Sequence, residues 1–267
     1  IKIGILCVVL NPPYWSFIQE MLWGLNTFFL KHHTIRDKYE VEMMVLSDIP
    51  EKPEEIQQSI MEYFLQIGKA TASMVSSSVA NIVAKDDKAA EVQSMIQSAL
   101  NARSMAKIFP TEPVEWPLPT LLRYNLFLQQ EEYLKNFDYL FYVDVDMKIV
   151  DWIGEEILGD GLTAAVHPMY HLRKNLYPPI EPNPESTAYI KRPGRIVEEE
   201  GKKRFEPLYF AGGFQGGKTE DFIKAMKVMR KNIDDDLSKN YIAIWNDESH
   251  FNRYLFDNPP AIVLSPA

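Results

Sequence analysis

Tyr139-Leu140-Phe141-Tyr142-Val143-Asp144-Val145-Asp146 (YLFYVDVD) is a run of five apolar or aromatic residues leading straight into a spaced pair of aspartates. A short continuous run of this kind reads as a strand buried on both faces. Side chains alternate across a strand, so Asp144 and Asp146 are expected on one side, at its carboxyl end. That end is where open α/β sheets place ligands. Two carboxylates side by side repel, and each resists ionisation unless a cation sits between them. Mn2+ or Mg2+ accepts such hard oxygen ligands and leaves positions for phosphate oxygens, whose charge it then neutralises. An acidic turn that merely follows a strand has the same letters, and DxD alone does not separate the two readings.

Outward from this strand, a second apolar run, Ile3 to Leu10, reads as a buried parallel strand broken by Asn11-Pro12-Pro13. Tyr14 to Leu30 carries helical apolar spacing, and Tyr39 to Leu46 is a further strand closed by Ser47-Asp48-Ile49-Pro50. Strand, helix and strand at this spacing predict a βαβ unit and a Rossmann-like, nucleotide-binding type of sheet. Between Glu54 and Phe109 the chain turns Ala-, Ser-, Gln- and Met-rich, with a narrow apolar stripe that fits one or two long helices. This helical insertion either packs on the main domain or forms a seam between copies of the chain in a homo-oligomer. Trp116-Pro117-Leu118-Pro119 leads into a helix from Thr120 to about Leu134, followed by a short helix at Ile153 to Leu158 and a strand at Leu162 to Val166. Pro178 to Arg204 reads as a proline- and charge-rich loop, Leu208 to Ala211 as a strand. Helices at Glu220 to Lys231 and Asp247 to Phe256 precede a last strand, Ala261 to Leu264. The expectation is one α/β domain over 1–267 with the insertion at 54–109 inside it.

The 267 residues suit a domain of this size. Lys plus Arg total 28 against 37 Asp plus Glu, a net of −9, and an acidic surface repels nucleic acid and anionic membrane. A phosphate-bearing substrate would then need a metal or a few local bases to hold it. The single cysteine, Cys7, lies within the first apolar run and favours a reducing compartment such as the cytoplasm. No apolar run approaches the roughly 20 residues that span a bilayer. The chain opens on Ile1-Lys2-Ile3-Gly4 without a signal-like segment, and the Golgi lumen is the alternative location if an N-terminal anchor precedes it.

Gly212 to Thr219 (GGFQGGKT) matches the phosphate-loop pattern GxxxxGK[ST] between a strand and a helix, which would make the chain an NTPase with Lys218 on the phosphates. Against it, the acidic strand end that would serve as metal partner lies upstream, and the extra glycines suggest a flat backbone surface for a ring. Trp245-Asn246-Asp247-Glu248-Ser249-His250 places adjacent carboxylates at a helix start. Acidic residues there often only compensate the helix dipole. Alternatively Asp247 accepts hydrogen bonds from sugar hydroxyls while Glu248 faces an anomeric carbon. Of five histidines, His167 follows a strand and reads equally as a ligand contact or a satisfied core side chain, and none has zinc-type spacing to another ligand. A non-enzymatic sugar-binding or assembly protein is the third reading, with 54–109 as its working surface.

In order along the chain stand WPLPTLLRY from Trp116, YLFYVDVDM from Tyr139, VHP from Val166, STAYIKRP from Ser186, YFAGGFQGG from Tyr209, WNDESHFNRYLFDNPP from Trp245 and VLSP from Val263. Together they resemble glycosyltransferase family 6, the family of the blood-group A and B transferases and the α-1,3-galactosyltransferases, and most of all its short bacterial members. The resemblance covers residues 112 to 267 strongly and 1 to about 50 weakly. It implies a GT-A fold and retaining, Mn2+-dependent transfer (Mg2+ being the alternative ion) from a UDP-sugar donor to a galactose-type oligosaccharide acceptor, forming an α-1,3 linkage. Asp144 and Asp146 match the metal-binding DxD. Val145 and Arg123 fall near the donor, and Val9, Leu10, Asn11 and Tyr14 fall where the family holds uridine. Ala211-Gly212-Gly213 matches the tripeptide that reads the donor's C2 substituent, and glycine at Gly213 leaves room for an acetamido group, which favours UDP-N-acetylgalactosamine over UDP-galactose. Asp247 matches a donor-sugar ligand and Glu248 the catalytic glutamate, with His167, Trp245 and Glu248 on the acceptor side. Three features depart from the pattern. Asn246 replaces the usual histidine, the 54–109 insertion is atypical, and the sequence stops at Ala267 where relatives continue with a basic tail, so hydrolysis of the donor is expected to compete with transfer.

Overall fold

The computed structural model describes residues 1–10, 12–30, 34–48, 62, 106–169, 180–191, 195–199, 202–206 and 208–265. The chain divides into two compact units, Ile1–Pro113 with Val145–Glu155, and Val114–Asp144 with Glu156–Ala267.

In the first unit, strands β1 (Lys2–Val9), β2 (Glu40–Ser47) and β3 (Ala106–Pro110) lie in the order β3-β2-β1, all parallel. Ile3, Ile5, Leu6 and Cys7 are fully buried, as expected of a strand covered on both faces. Two α-helices, Pro12–Trp15 and Phe17–Thr27, and a 3-10 turn, Arg36–Lys38, lie between β1 and β2 among the described residues. The second buries Ile18, Met21, Leu22 and Leu25, the i, i+3, i+4, i+7 stripe of an amphipathic helix. At Gly24 an added Cβ would fall 2.9 Å from Ile149 Cβ, so glycine lets the 145–155 segment cross close to this helix. That segment is fastened by a bridge between Phe29 and Ile153, with Leu30 N donating to Ile153 O at 2.7 Å.

The strand β3 is a correction. Its first four residues fall inside the expected 54–109 insertion, yet they pair with β2 in parallel register, Met43 opposite Ala106 through Ser47 opposite Pro110. Being at the edge of its sheet, β3 tolerates a terminal proline and needs no long apolar run to announce it. Apart from these residues and Glu62, which is helical, the insertion lies outside the described residues, as does Asn11.

In the second unit the expected helix from Thr120 to Leu134 is three short ones, Leu118–Leu121, Arg123–Leu128 and Glu131–Leu134. Strands β4 (Tyr139–Val143) and β5 (Leu162–Val166) fall where the apolar runs placed them. The stretch read as a loop contains an antiparallel hairpin, β6 (Arg195–Glu199) and β7 (Lys202–Glu206), whose strands are charge-rich and so carry no continuous apolar signal. Next come β8 (Phe210–Lys218) and the helices Thr219–Leu237 and Asn246–Asp257, then β9 (Ile262–Leu264). The order is β4-β8-β5-β9, with β8 antiparallel to both neighbours. Therefore β4 and β5 run the same way, with the carboxyl end of β4 opposite the middle of β8 (Val143 opposite Phe214) and that of β5 opposite its start (Val166 opposite Phe210).

β8 removes the phosphate-loop alternative. Phe214 to Lys218 pairs with β4 and Gln215 to Gly217 with β5, while the Gly212 N–H and C=O are taken by the Glu248 and Gln215 side chains, so the stretch is strand and not an open loop free to cradle a phosphate. Its later glycines answer to packing. A Cβ at Gly216 would sit 2.3 Å from Leu140 O, and one at Gly217, whose φ is +134°, would sit 2.2 Å from Gly161 O. Lys218 Nζ is paired with Asp160 at 2.7 Å.

Candidate functional site

The shared edge of β4, β5 and β8 gathers the site. Asp144 follows β4, and its N–H donates to Gly213 O at 2.9 Å, carrying the ladder one residue past the strand end. Val145 and Asp146 then form a turn. The strand alternation expected to align the two aspartates therefore stops at Val143. Asp144 is half-buried and Asp146 is exposed.

Arg123, 6% exposed, opens the helix Arg123–Leu128 and bridges two acids. Its Nη1 lies 3.3 Å from Asp144 Oδ1 and its Nε 3.2 Å from Asp247 Oδ2. The guanidinium also lies over the Tyr142 ring, 4.3 Å from the centroid, a cation–π arrangement, while the Tyr142 hydroxyl donates to Asp144 Oδ1. Burial pulls the Arg123 pKa down, but Asp247, Tyr142 and Asp144 outweigh it and the guanidinium stays charged.

Asp247 and Glu248 open the helix Asn246–Asp257. Asp247 is 4% exposed, and burial, assisted by the charges of Asp144 and Glu248 and opposed by Arg123, pushes its pKa up to about 7. Beside it the buried Tyr124 hydroxyl donates to Gln215 Oε1 at 2.7 Å and lies 3.4 Å from Asp247 Oδ2. Gln215 Nε2 in turn donates to Gly212 O at 2.8 Å. Half-buried Glu248 accepts a hydrogen bond from Gly212 N–H, at 2.7 Å to Oε2. A Cβ at Gly212 would lie 2.9 Å from Glu248 Cβ and 3.0 Å from Oε2, so only glycine lets the glutamate come this close.

His167 follows β5. Its N–H donates to Tyr209 O at 2.8 Å, its Nδ1 accepts Met169 N–H at 3.2 Å, and its ring meets Tyr209 edge-on. Trp245, 46% exposed, precedes the helix carrying the two acids and donates its N–H to Ser249 Oγ. Arg123, Asp144, His167, Ala211, Gly212, Gly213, Trp245, Asp247 and Glu248 thus belong to one unit. Val9, Leu10, Tyr14, Val145 and Asp146 belong to the other, where Val9 is fully buried with its carbonyl accepting Ser47 Oγ at 2.7 Å, and Tyr14 is exposed. Tyr124, Tyr142, Gln215 and Asn252 were not singled out from sequence, although a polar side chain inside a buried strand, such as Gln215, signals a partner waiting for it.

Chemically, the site offers a fixed carboxylate, a buried acid that can hold a proton, and a guanidinium bridging two acids. Among the described residues no group of three or more His, Cys, Asp or Glu is gathered around a point. Asp144 in one unit and Asp146 in the other are both hard carboxylates, the ligand type a divalent ion accepts.

Asp247 makes stability depend on pH. Its folded pKa of about 7 lies above the ordinary 3.8, so its contribution is full below about pH 3.8 and is lost as pH rises through 7. Thermal unfolding of the metal-free protein between pH 5 and 8 should show this decline, and Asp247→Asn should flatten it. An unchanged slope in Asp247→Asn would count against the shift.

Comparison with known sequences establishes the family. The profile of glycosyltransferase family 6 matches residues 59–267. The chain is 35% identical to the histo-blood group ABO system transferase 1 of Rattus norvegicus over 137 residues, 51% of this chain and 36% of that one. It is 32% identical to the O-antigen biosynthesis glycosyltransferase WbnI of Escherichia coli over 149 residues, 55% of this chain and 59% of that one. It is 34% identical to the human globoside alpha-1,3-N-acetylgalactosaminyltransferase 1 over 132 residues, 49% of this chain and 35% of that one. The matched stretch is thus only part of each relative. No helix among the described residues is long and apolar enough to cross a membrane. With its mixed α/β, GT-A-like architecture and a profile match over most of its length, the chain belongs to glycosyltransferase family 6.

Proposed function

We propose that this chain transfers N-acetylgalactosamine, or less readily galactose, from the UDP-sugar to a galactose-type glycan, retaining the anomeric configuration and forming an α-1,3 linkage. The observation that carries this reading is the Glu248 carboxylate, fixed by Gly212 N–H at 2.7 Å beside the buried Asp247. A carboxylate so held suits attack on an anomeric carbon, or support of an oxocarbenium-like centre, and two successive inversions give net retention. Asp247 binds donor-sugar hydroxyls, as acceptor when ionised and as donor when protonated. Gly213 leaves the space beside C2 that an acetamido group needs. His167 and the exposed face of Trp245 receive the acceptor sugar, since an indole stacks on a pyranose while its rim stays polar. Val9, Leu10, Asn11, Tyr14, Arg123 and Val145 serve the nucleotide.

Asp144 and Asp146, two residues apart in the chain, would hold Mn2+ or Mg2+, which supplies Lewis-acid neutralisation of the diphosphate leaving group. The relatives' names support the choice of reaction: one is an α-1,3-N-acetylgalactosaminyltransferase and another a histo-blood group ABO transferase. A screen of UDP-N-acetylgalactosamine, UDP-galactose and UDP-glucose, with Mn2+ or with a chelator, tests the reading. Release of UDP is expected with Mn2+ and fastest from UDP-N-acetylgalactosamine. No release from any donor, or release indifferent to the chelator, would contradict it.

A further inference from the structure

Asn252 lies on the helix Asn246–Asp257, one turn beyond Glu248, and is 5% exposed. Its carboxamide is fully engaged with main chain. Oδ1 accepts Phe210 N–H at 2.7 Å, and Nδ2 donates to Phe210 O at 2.9 Å and to Glu248 O at 2.9 Å. At this point β5 bonds to β8 through flanking residues, His167 N–H to Tyr209 O, so Phe210 turns its own N–H and C=O the other way. On that side β4 has already ended, its pairing with β8 reaching only Val143 opposite Phe214 and the Asp144 bond to Gly213. The Asn252 side chain takes the place of the missing strand residue. Two positions further along β8 is Gly212, whose N–H holds the Glu248 carboxylate.

The contacts form a closed circuit. Helix and strand are tied at Asn252 to Phe210, Asn252 also grips the carbonyl of Glu248, and the carboxylate of Glu248 returns to the strand at Gly212. We infer that Asn252 is the positioning residue for Glu248, setting the carboxylate's distance from Gly212 and hence from the reacting carbon. Asparagine alone fits, because both a donor and an acceptor are needed at one short reach. Aspartate supplies no donor when ionised, glutamine is a methylene too long, and leucine leaves the Phe210 N–H and C=O without the side-chain partner they have here.

The inference rests on reading Glu248 as the group that faces the anomeric carbon, so two readouts are combined. The first is steady-state transfer. Asn252→Ala should lower kcat about 30- to 100-fold with donor KM within about threefold, as misplacement of a reacting group does. Asn252→Asp, which keeps the acceptor toward Phe210 N–H, should lose about tenfold and serves if the alanine variant fails to fold. The second readout needs no sugar chemistry. The Gly212 amide proton, donated to a carboxylate at 2.7 Å, should resonate downfield in the wild type, and that displacement should diminish in either Asn252 variant. A folded variant with wild-type kcat and an unmoved Gly212 resonance overturns the inference, as does a loss confined to KM. If the wild type releases no UDP from any donor, the transfer reading falls, and the Gly212 resonance still decides whether Asn252 positions Glu248.

Discussion

Glu248→Gln should lower the turnover of sugar transfer by about 10³-fold or more while leaving affinity for UDP within about twofold. Glutamine has the same reach and an oxygen that can still accept Gly212 N–H, so the 2.7 Å contact and the helix start survive. The negative charge is lost, and with it both covalent capture of the sugar and stabilisation of positive charge at its anomeric carbon. A substitution that keeps shape and removes charge thus acts on the transition state rather than on the ground state. Initial rates with UDP-N-acetylgalactosamine, together with calorimetric titration of UDP, separate the two. Wild-type turnover in Glu248→Gln would remove Glu248 from the chemistry and leave Asp247 to be considered in its place.

Arg123→Met should have the largest effect on stability. The guanidinium bridges Asp144 and the buried Asp247, and methionine matches its apolar stem without its charge. Removing one partner of a buried pair leaves an uncompensated charge, at a cost of about 3–5 kcal/mol. For a protein of this size that is on the order of 10 °C in Tm. Part of the loss is relieved at low pH, because Asp247, already held at a pKa of about 7, then takes up a proton. The destabilisation should therefore be larger at pH 8 than at pH 5.5, and differential scanning calorimetry at the two values checks it. A Tm unchanged at both would mean that the pair contributes nothing beyond its hydrophobic equivalent.

How far these elements could be read from the chain depended on what each residue answers to. β1, β4 and β5 are buried runs whose composition follows from burial, and their positions were legible to within a residue. The acids were legible too, since carboxylates at a strand end and a helix start are local patterns. β3 was not, because an edge strand is made by its neighbour and carries little apolar signal of its own. GGFQGGKT pointed the wrong way for a similar reason. Its glycines are selected by the approach of Leu140, Gly161 and Glu248, none of which is near in sequence, and a phosphate loop selects the same letters. Gln215, Tyr124 and Asn252 lay beyond reach because each is defined by a partner on another element. Asp144 and Asp146 were read from ideal strand alternation, which ends at Val143.

In the proposed reaction a divalent ion held by Asp144 and Asp146 makes UDP a competent leaving group. Calorimetric titration of UDP into the wild type, Asp144→Asn and Asp146→Asn, each with Mn2+ and with chelator, tests this. Binding by the wild type should require Mn2+, and each variant should weaken it by about tenfold or more. Equal UDP affinity in all three proteins, with and without Mn2+, would contradict that role.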